Sequence, residues 1–194
     1  MDFGWSDEDE RFRAALRAFL ESHTPGKPPK GGAQRLAWQR SWHATLVDNG
    51  YAGPSWPKAY GGMDLTFSRQ VVYQQEVARA RVPAQPGTGV QIAAPAIIKY
   101  GTEEQRRRFL RPMLRADVIW AQGFSEPEAG SDLPALRTTA VRDGDDYIVS
   151  GQKVWSSSAD IADMLFTLVR TGDPGSRQDG ISYLMIDLHS PASP

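Results

Sequence analysis

Two short segments hold most of the side chains in this chain that could do chemistry. The first is Trp120-Ala121-Gln122-Gly123-Phe124-Ser125-Glu126-Pro127-Glu128-Ala129-Gly130-Ser131-Asp132. It reads as a strand that ends in polar groups and breaks into a Pro/Gly turn carrying a hydroxyl and a carboxylate. The second is Gly151-Gln152-Lys153-Val154-Trp155-Ser156-Ser157. In a turn such as the first, proline fixes φ, glycine permits positive φ, and Ser and Asp bond to nearby backbone. Backbone N–H groups exposed there can face a diphosphate, and the Ser131 hydroxyl adds a donor. Glu126 and Asp132 are anionic, so they are expected to hold the loop's own amides instead. Trp155 is either a core aromatic or a flat platform beside a cofactor ring. Ser156, Ser157 and Ser158 follow a strand that reads as buried, and hydroxyls at the edge of a ring site can donate to a ring nitrogen.

Other chemistries are excluded residue by residue. Gly123-Phe124-Ser125-Glu126-Pro127 nearly matches the nucleophile elbow G-x-S-x-G, but Pro127 replaces the glycine that permits the strained turn. Gly87-Thr88-Gly89 has Ile92 where a third glycine would stand, and no strand precedes it, so it is no dinucleotide fingerprint. No G-x-x-x-x-G-K-[ST] occurs. His23, His43 and His189 are too scattered for local metal spacing. With no cysteine, disulfides, thiolate catalysis and Cys-ligated zinc are absent. That absence suits a reducing compartment, and a cytoplasmic location is expected. The acidic N-terminus has neither the basic region nor the apolar run of a secretory signal. No stretch approaches the ~18 consecutive apolar residues of a membrane span. A net charge of −1 gives no global field for nucleic acid, and Arg106-Arg107-Arg108 reads as a solvated helix face.

The elements that must position these residues fall into two halves. The chain has 194 residues, 40% of them hydrophobic, enough for one domain or two small ones. Ser6 caps a helix with Asp7, Glu8 and Asp9 in its first turn, and Phe12, Ala15, Leu16, Phe19 and Leu20 make one apolar stripe. A second helix is predicted over Ala33–Asp48, with Trp38, Trp42 and Leu46 on one side and Asn49-Gly50 as its stop. Tyr51–Asp64 is irregular because of its prolines and glycines. A third helix covers Thr66–Ala80, with Tyr73, Val77 and Ala80 on one face. A fourth segment, Gln91–Tyr100, is apolar nearly all round and is expected to be buried. Thr102 and Gln105 form a capping box that opens a fifth helix to Arg115. Short β-prone runs follow at Thr138–Val141 and Tyr147–Val149 around Asp143-Gly144, a hairpin signal, and at Met164–Arg170 and Ile181–Leu188. Helices followed by strands give an α+β fold with segregated halves, divided as residues 1–116 and 117–194.

The order of these pieces carries a resemblance. A helical half, then Trp56-Pro57-Lys58-Ala59-Tyr60-Gly61-Gly62, then Gly101-Thr102-Glu103-Glu104-Gln105, then the two segments above, resembles the acyl-CoA dehydrogenase family over nearly the whole chain. The resemblance implies an all-α N-terminal domain followed by a small β-barrel domain, with the family's C-terminal four-helix bundle beyond Pro194. It implies FAD as cofactor and α,β-desaturation of an acyl-CoA thioester in fatty-acid β-oxidation, with hydride passing to flavin N5. By resemblance, Gln122, Phe124 and Ser125 lie against the flavin ring, and Gly130 and Ser131 reach the FAD diphosphate or the CoA side of the substrate. Trp155 stacks near the ring, Ser157 approaches N5, and Val90 to Ala94 line an acyl pocket with room for a bulky group. Many relatives carry threonine at Ser125 and Ser157, so the hydroxyl is kept and the stiffening methyl lost. The family's base glutamate belongs to the bundle, so no catalytic acid or base is nominated, and this chain alone is expected to be inactive. The implied partners are an acyl-CoA, an electron-transferring flavoprotein, and a homo- or hetero-oligomer supplying the bundle. Two further readings stay open: a non-catalytic subunit or fragment of a split dehydrogenase, and a flavin monooxygenase or oxidase of the same architecture.

Overall fold

The computed structural model describes residues 4–190. The chain ends at 1–3 and 191–194, including the Pro-Ala-Ser-Pro terminus, lie outside the described residues. Two compact units form, one from the residues up to Pro86 with Ala94–Asp117, the other from Gly87–Ala93 with the residues from Val118 onward.

The first unit is helical: α1 (Asp7–His23), α2 (Gly32–Asp48), α3 (Phe67–Ala80), α4 (Ala94–Tyr100) and α5 (Glu103–Leu114). The caps read from sequence are formed. Asp9 N–H donates to Ser6 Oγ at 3.2 Å while the Asp9 carboxylate accepts from Ser6 N–H. Thr102 and Gln105 do the same at the head of α5. The α1 stripe buries Leu16, Phe19 and Leu20 but leaves Ala15 exposed. Trp42 and Leu46 of α2 are buried as expected, and Trp38, half-buried, donates its indole N–H to the Pro25 carbonyl.

Two expectations are corrected. The buried face of α3 is Val72, Tyr73 and Glu76, rotated from the predicted Tyr73, Val77 and Ala80. A glutamate holds the centre of that face because three guanidiniums meet it: Arg13 at 3.2 Å, Arg17 at 2.8 Å and Arg79 at 2.9 Å. The fourth segment is not buried all round. It splits into a π-turn at Gly89–Ala93 and the short α4, in which Ala94 and Ile97 are buried while Ile92 and Tyr100 are exposed.

The second unit is a five-stranded sheet of β1 (Trp120–Gly123), β2 (Thr139–Asp143), β3 (Asp146–Ser150), β4 (Met164–Arg170) and β5 (Ile181–Asp187). β4 is its spine. β5 runs antiparallel along one whole edge, from Met164↔Asp187 to Arg170↔Ile181. The other edge is shared: β1 lies parallel from Trp120↔Met164 to Gly123↔Thr167, and β2 takes over at Thr139↔Arg170. The β2–β3 hairpin turns on Gly144-Asp145, one residue later than Asp143-Gly144, because Asp143 and Asp146 are already paired. Gly144 supplies the positive φ of 60° that the first turn position needs. The strand before the serine run is not buried. All of β3 is exposed, since its neighbour among the described residues is β2 alone. No helix among the described residues is long and apolar enough to cross a membrane.

Acid stability follows from the helical unit. Burial pushes the His43 imidazole down to about 4, against one backbone bond to Ala84 that raises it. The Arg17 guanidinium, with Arg79 and Arg13 behind it, outweighs burial and holds Glu76 at about 2. The unfolded chain therefore takes up a proton on histidine between its ordinary 6.5 and about 4 while the folded chain does not. It likewise protonates glutamate between 4.5 and about 2 before the folded chain does. Both effects remove stability as pH falls. Urea midpoints should decline in two stages, and His43→Leu should abolish the upper one alone. A single-stage decline in the parent chain would contradict this.

Candidate functional site

The site is built where β1 ends. At Gly123 the carbonyl accepts the buried Thr167 hydroxyl from β4. Phe124 then sets its ring edge-on against Phe166, 5.7 Å between centroids, and Phe166 stacks on Tyr183. The Ser125 carbonyl accepts Val154 N–H at 2.9 Å. That bond lays the second motif segment alongside the first. Glu126 to Ala129 closes a tight turn through two reciprocal backbone bonds of 2.8 and 3.2 Å.

Beneath this turn is a buried ion pair. Glu126 is 8% exposed and accepts Arg137 N–H at 2.6 Å, Thr138 N–H at 2.9 Å and Lys153 Nζ at 2.8 Å. Burial alone would raise its pKa; the Lys153 ammonium and the Thr138 and Arg137 donors outweigh it and hold the carboxyl at about 2. Lys153 spends its other N–H groups on the carbonyls of Phe124 at 3.3 Å and Leu168 at 2.7 Å. It thereby fastens the end of β1, the turn and β4 at one point. Glu126 does hold the loop's own amides. Asp132 is exposed and pairs instead with Arg177 at 3.3 Å. Lys153 was missed as a site-building residue. No local period signals a lysine whose partner lies in the other motif.

Past Lys153 the chain turns sharply. Trp155 has φ 58° and is 89% exposed, and its carbonyl accepts Ser157 N–H. Its ring is therefore no part of the core among the described residues. A bulky residue in the left-handed region is an outlier, and such strain concentrates at functional sites. Gln122 and Ser125 are half-buried, while Gly130, Ser131 and Ser157 are exposed. A Cβ at Gly130 would meet no atom within 4 Å, so the turn's backbone is open there.

Val90 and Ala94 do not come together in one unit. Val90, half-buried, lies in the π-turn of the sheet unit. Thr88 N–H donates to the Trp120 carbonyl at 2.9 Å there. Gly87, φ 75°, is required beside it, because a Cβ would stand 2.5 Å from that same carbonyl. Ala94 is fully buried at the head of α4 in the helical unit. π-turns inside helices are frequent at functional sites.

Comparison with known proteins decides the lineage. Residues 6–117 match the family model of the acyl-CoA dehydrogenase N-terminal domain, and residues 121–193 match that of the middle domain. The chain belongs to the acyl-CoA dehydrogenase family. It is 37% identical over 191 residues to the acyl-CoA dehydrogenase IpdE1 of Mycobacterium tuberculosis, covering 94% of this chain and 50% of that protein. It is 43% identical over 195 residues to the acyl-CoA dehydrogenase FadE26 of the same organism, covering 96% and 48%. Among solved structures it resembles the ChsE4-ChsE5 complex of Mycobacterium tuberculosis, with 35% identity, TM-score 0.79, and 97% of this chain over 49% of that one. The Tcur3481-Tcur3483 steroid acyl-CoA dehydrogenase gives 33%, TM-score 0.78, 96% and 49%. The chain thus spans about half the length of the curated relatives it matches. The helical and sheet units are those of the acyl-CoA dehydrogenase fold, and the family is one of oxidoreductases.

Proposed function

We propose that this chain forms the N-terminal and middle domains, residues 1–116 and 117–194, of an FAD-dependent enzyme that desaturates an acyl-CoA thioester between its α and β carbons. The observation that carries the reading is Trp155, an exposed ring in a strained backbone conformation two residues after Lys153 of the buried Glu126–Lys153 pair. A flat aromatic face, the Ser125, Ser131 and Ser157 hydroxyls and the open backbone at Gly130 are a donor set that fits a flavin dinucleotide. Gln122, Phe124, Ser125, Trp155 and Ser157 would hold its ring, and Gly130 and Ser131 its diphosphate or the substrate's CoA. Bound FAD supplies a hydride acceptor. Trp155 would offer its face to the flavin ring, and the Lys153 bonds to Phe124 and Glu126 fix the backbone on either side of Ser125.

No base for the α-proton is assigned within these residues. Glu126 is committed to two amides and a lysine, and Glu128 pairs with Arg137 on the surface. The base is assigned to a C-terminal portion, with an electron-transferring flavoprotein as acceptor, in the cytoplasm. A positioned base contributes ~10²–10⁴-fold. Stopped-flow flavin bleaching by an acyl-CoA should therefore be absent with the 194 residues alone and present once that portion is added. Full bleaching by these residues alone would place a base within them and overturn the reading.

A second reading makes the chain a portion of a heteromeric enzyme. It is favoured by the likeness to the ChsE4-ChsE5 and Tcur3481-Tcur3483 assemblies, the latter described as a steroid enzyme. On this reading the acyl group is bulky, in line with the steroid enzyme among those two assemblies. Co-purification with a second, different dehydrogenase chain distinguishes it from a homo-oligomer. Oxygen uptake with substrate distinguishes an oxidase.

A further inference from the structure

Arg170, the last residue of β4, is 7% exposed, and no carboxylate pairs with it among the described residues. Its guanidinium binds backbone instead. Nε donates to the Leu136 carbonyl at 3.3 Å, Nη2 to the Pro134 carbonyl at 2.7 Å, and Nη1 to the Arg177 carbonyl at 3.0 Å. The first two acceptors lie in the loop that leaves Gly130-Ser131-Asp132 through the 3₁₀ turn Leu133–Ala135. The third lies in the 3₁₀ segment Pro174–Gly180, where Arg177 itself adopts φ 47°, ψ −122°. The side chain of Arg177 then reaches back to Asp132 at 3.3 Å. The result is a closed bracket: Arg170 to the Arg177 backbone, the Arg177 side chain to Asp132, and the loop after Asp132 back to Arg170.

We infer that Arg170 is a positioning residue that clamps the Ser131 loop to the 174–180 segment and so sets where the Ser131 hydroxyl stands. A planar fork spreads its donors over three nitrogens in fixed directions and so reaches carbonyls set apart in two loops. A lysine keeps the charge but presents a single nitrogen. The charge is therefore not what the site uses; the fork is. The consequence for ligand affinity rests on the function proposed above, in which Ser131 meets FAD or CoA. The clamp itself does not.

The test is amide hydrogen exchange on Arg170→Lys and Arg170→Met, made in the complete protein, alongside acyl-CoA binding. The reporters are Ala135 and Leu136, bonded to Asp132 and Leu133, and Thr171 and Gly172, bonded to the Gly180 carbonyl. Both variants should speed these amides by about tenfold or more while the β1 and β4 amides keep their protection. Unchanged loop amides, or equal acceleration through β1 and β4, would overturn the clamp, as would full protection in Arg170→Lys. If the Arg170 variants do not fold, Asp132→Ala decides. It cuts only the exposed outer tie, and must speed the same four amides and no others. In the folded variants the Kd for acyl-CoA or FAD should rise about tenfold, equivalent to 1.4 kcal/mol, with the saturated rate of flavin reduction nearly unchanged. Loosened loops with unaltered affinity would leave the clamp standing and reject the role given to Ser131.

Discussion

Lys153→Met should lower the unfolding free energy by about 3–5 kcal/mol, the cost of stranding one member of a buried ion pair. The pair is well enclosed, with side-chain exposures of 10% for Lys153 and 7% for Glu126. Removing the ammonium leaves the carboxylate with only its two amide donors, and frees the Phe124 and Leu168 carbonyls as well. Acid should narrow the gap between the two proteins. In the parent chain Glu126 titrates near 2 instead of 4.5, so its contribution is present above pH 4.5 and is lost toward pH 2. In the variant the burial that opposes ionisation is no longer outweighed by lysine, and the group protonates at higher pH, which relieves the stranded charge. Urea denaturation at pH 7 and pH 3.5 measures both points. A loss below 1 kcal/mol, typical of an exposed pair, would show that Lys153 is not the fastening it is described to be.

Trp155→Gly should move two quantities in opposite directions. The ring is 89% exposed, so the chain alone loses little burial when it is removed. Glycine also accepts φ 58° without the penalty of about 1 kcal/mol or more that a side chain carries there. Stability should hold or rise by about 0.5 kcal/mol, the strain relief being partly offset by glycine's larger unfolded-state entropy. Flavin retention in the complete protein should fall, because ring stacking contributes about 0.5–1.5 kcal/mol beyond area, a factor of up to about ten. Trp155→Ala should lose flavin equally without the gain in stability. A marked loss of stability in Trp155→Gly would make the ring a packing residue; unchanged retention would remove it from the flavin site.

Much of the fold was legible because it is written locally. The Ser6 cap, the Thr102–Gln105 capping box, the Asn49-Gly50 stop and the β2–β3 hairpin each depend on residues within a few positions of one another, and each formed. Glu76 shows where local reading fails. Periodicity assigns charged residues to the outer face, yet three arginines, two of them on α1, turn this one inward. Lys153 fails for the same reason, its partner lying 27 positions away in the other motif. Trp155 was legible as an aromatic worth noticing, but two opposite readings fitted it equally. Its exposure is set by the tertiary fold, which no local pattern encodes. The exposure of β3 was illegible because alternation marks a strand without saying how many neighbours it will have.

The excursion of Gly87–Ala93 into the sheet unit has a consequence for synthesis on the ribosome. The chain passes from helical to sheet unit at residue 87, back at 94, and across again at 118. α4 and α5 are made only after the excursion, so the helical unit stays unfinished until about residue 117 has emerged. The seven excursion residues meanwhile wait for β1, whose Trp120 carbonyl receives Thr88. The helical unit has all its residues by position 117, whereas the sheet unit cannot close before β1 and β4 are made. In a nascent chain of this protein, residues 87–93 should therefore gain protease resistance only after β1 and β4 have emerged, and a single cut at residue 117 should yield a sheet fragment lacking a piece of its own wall.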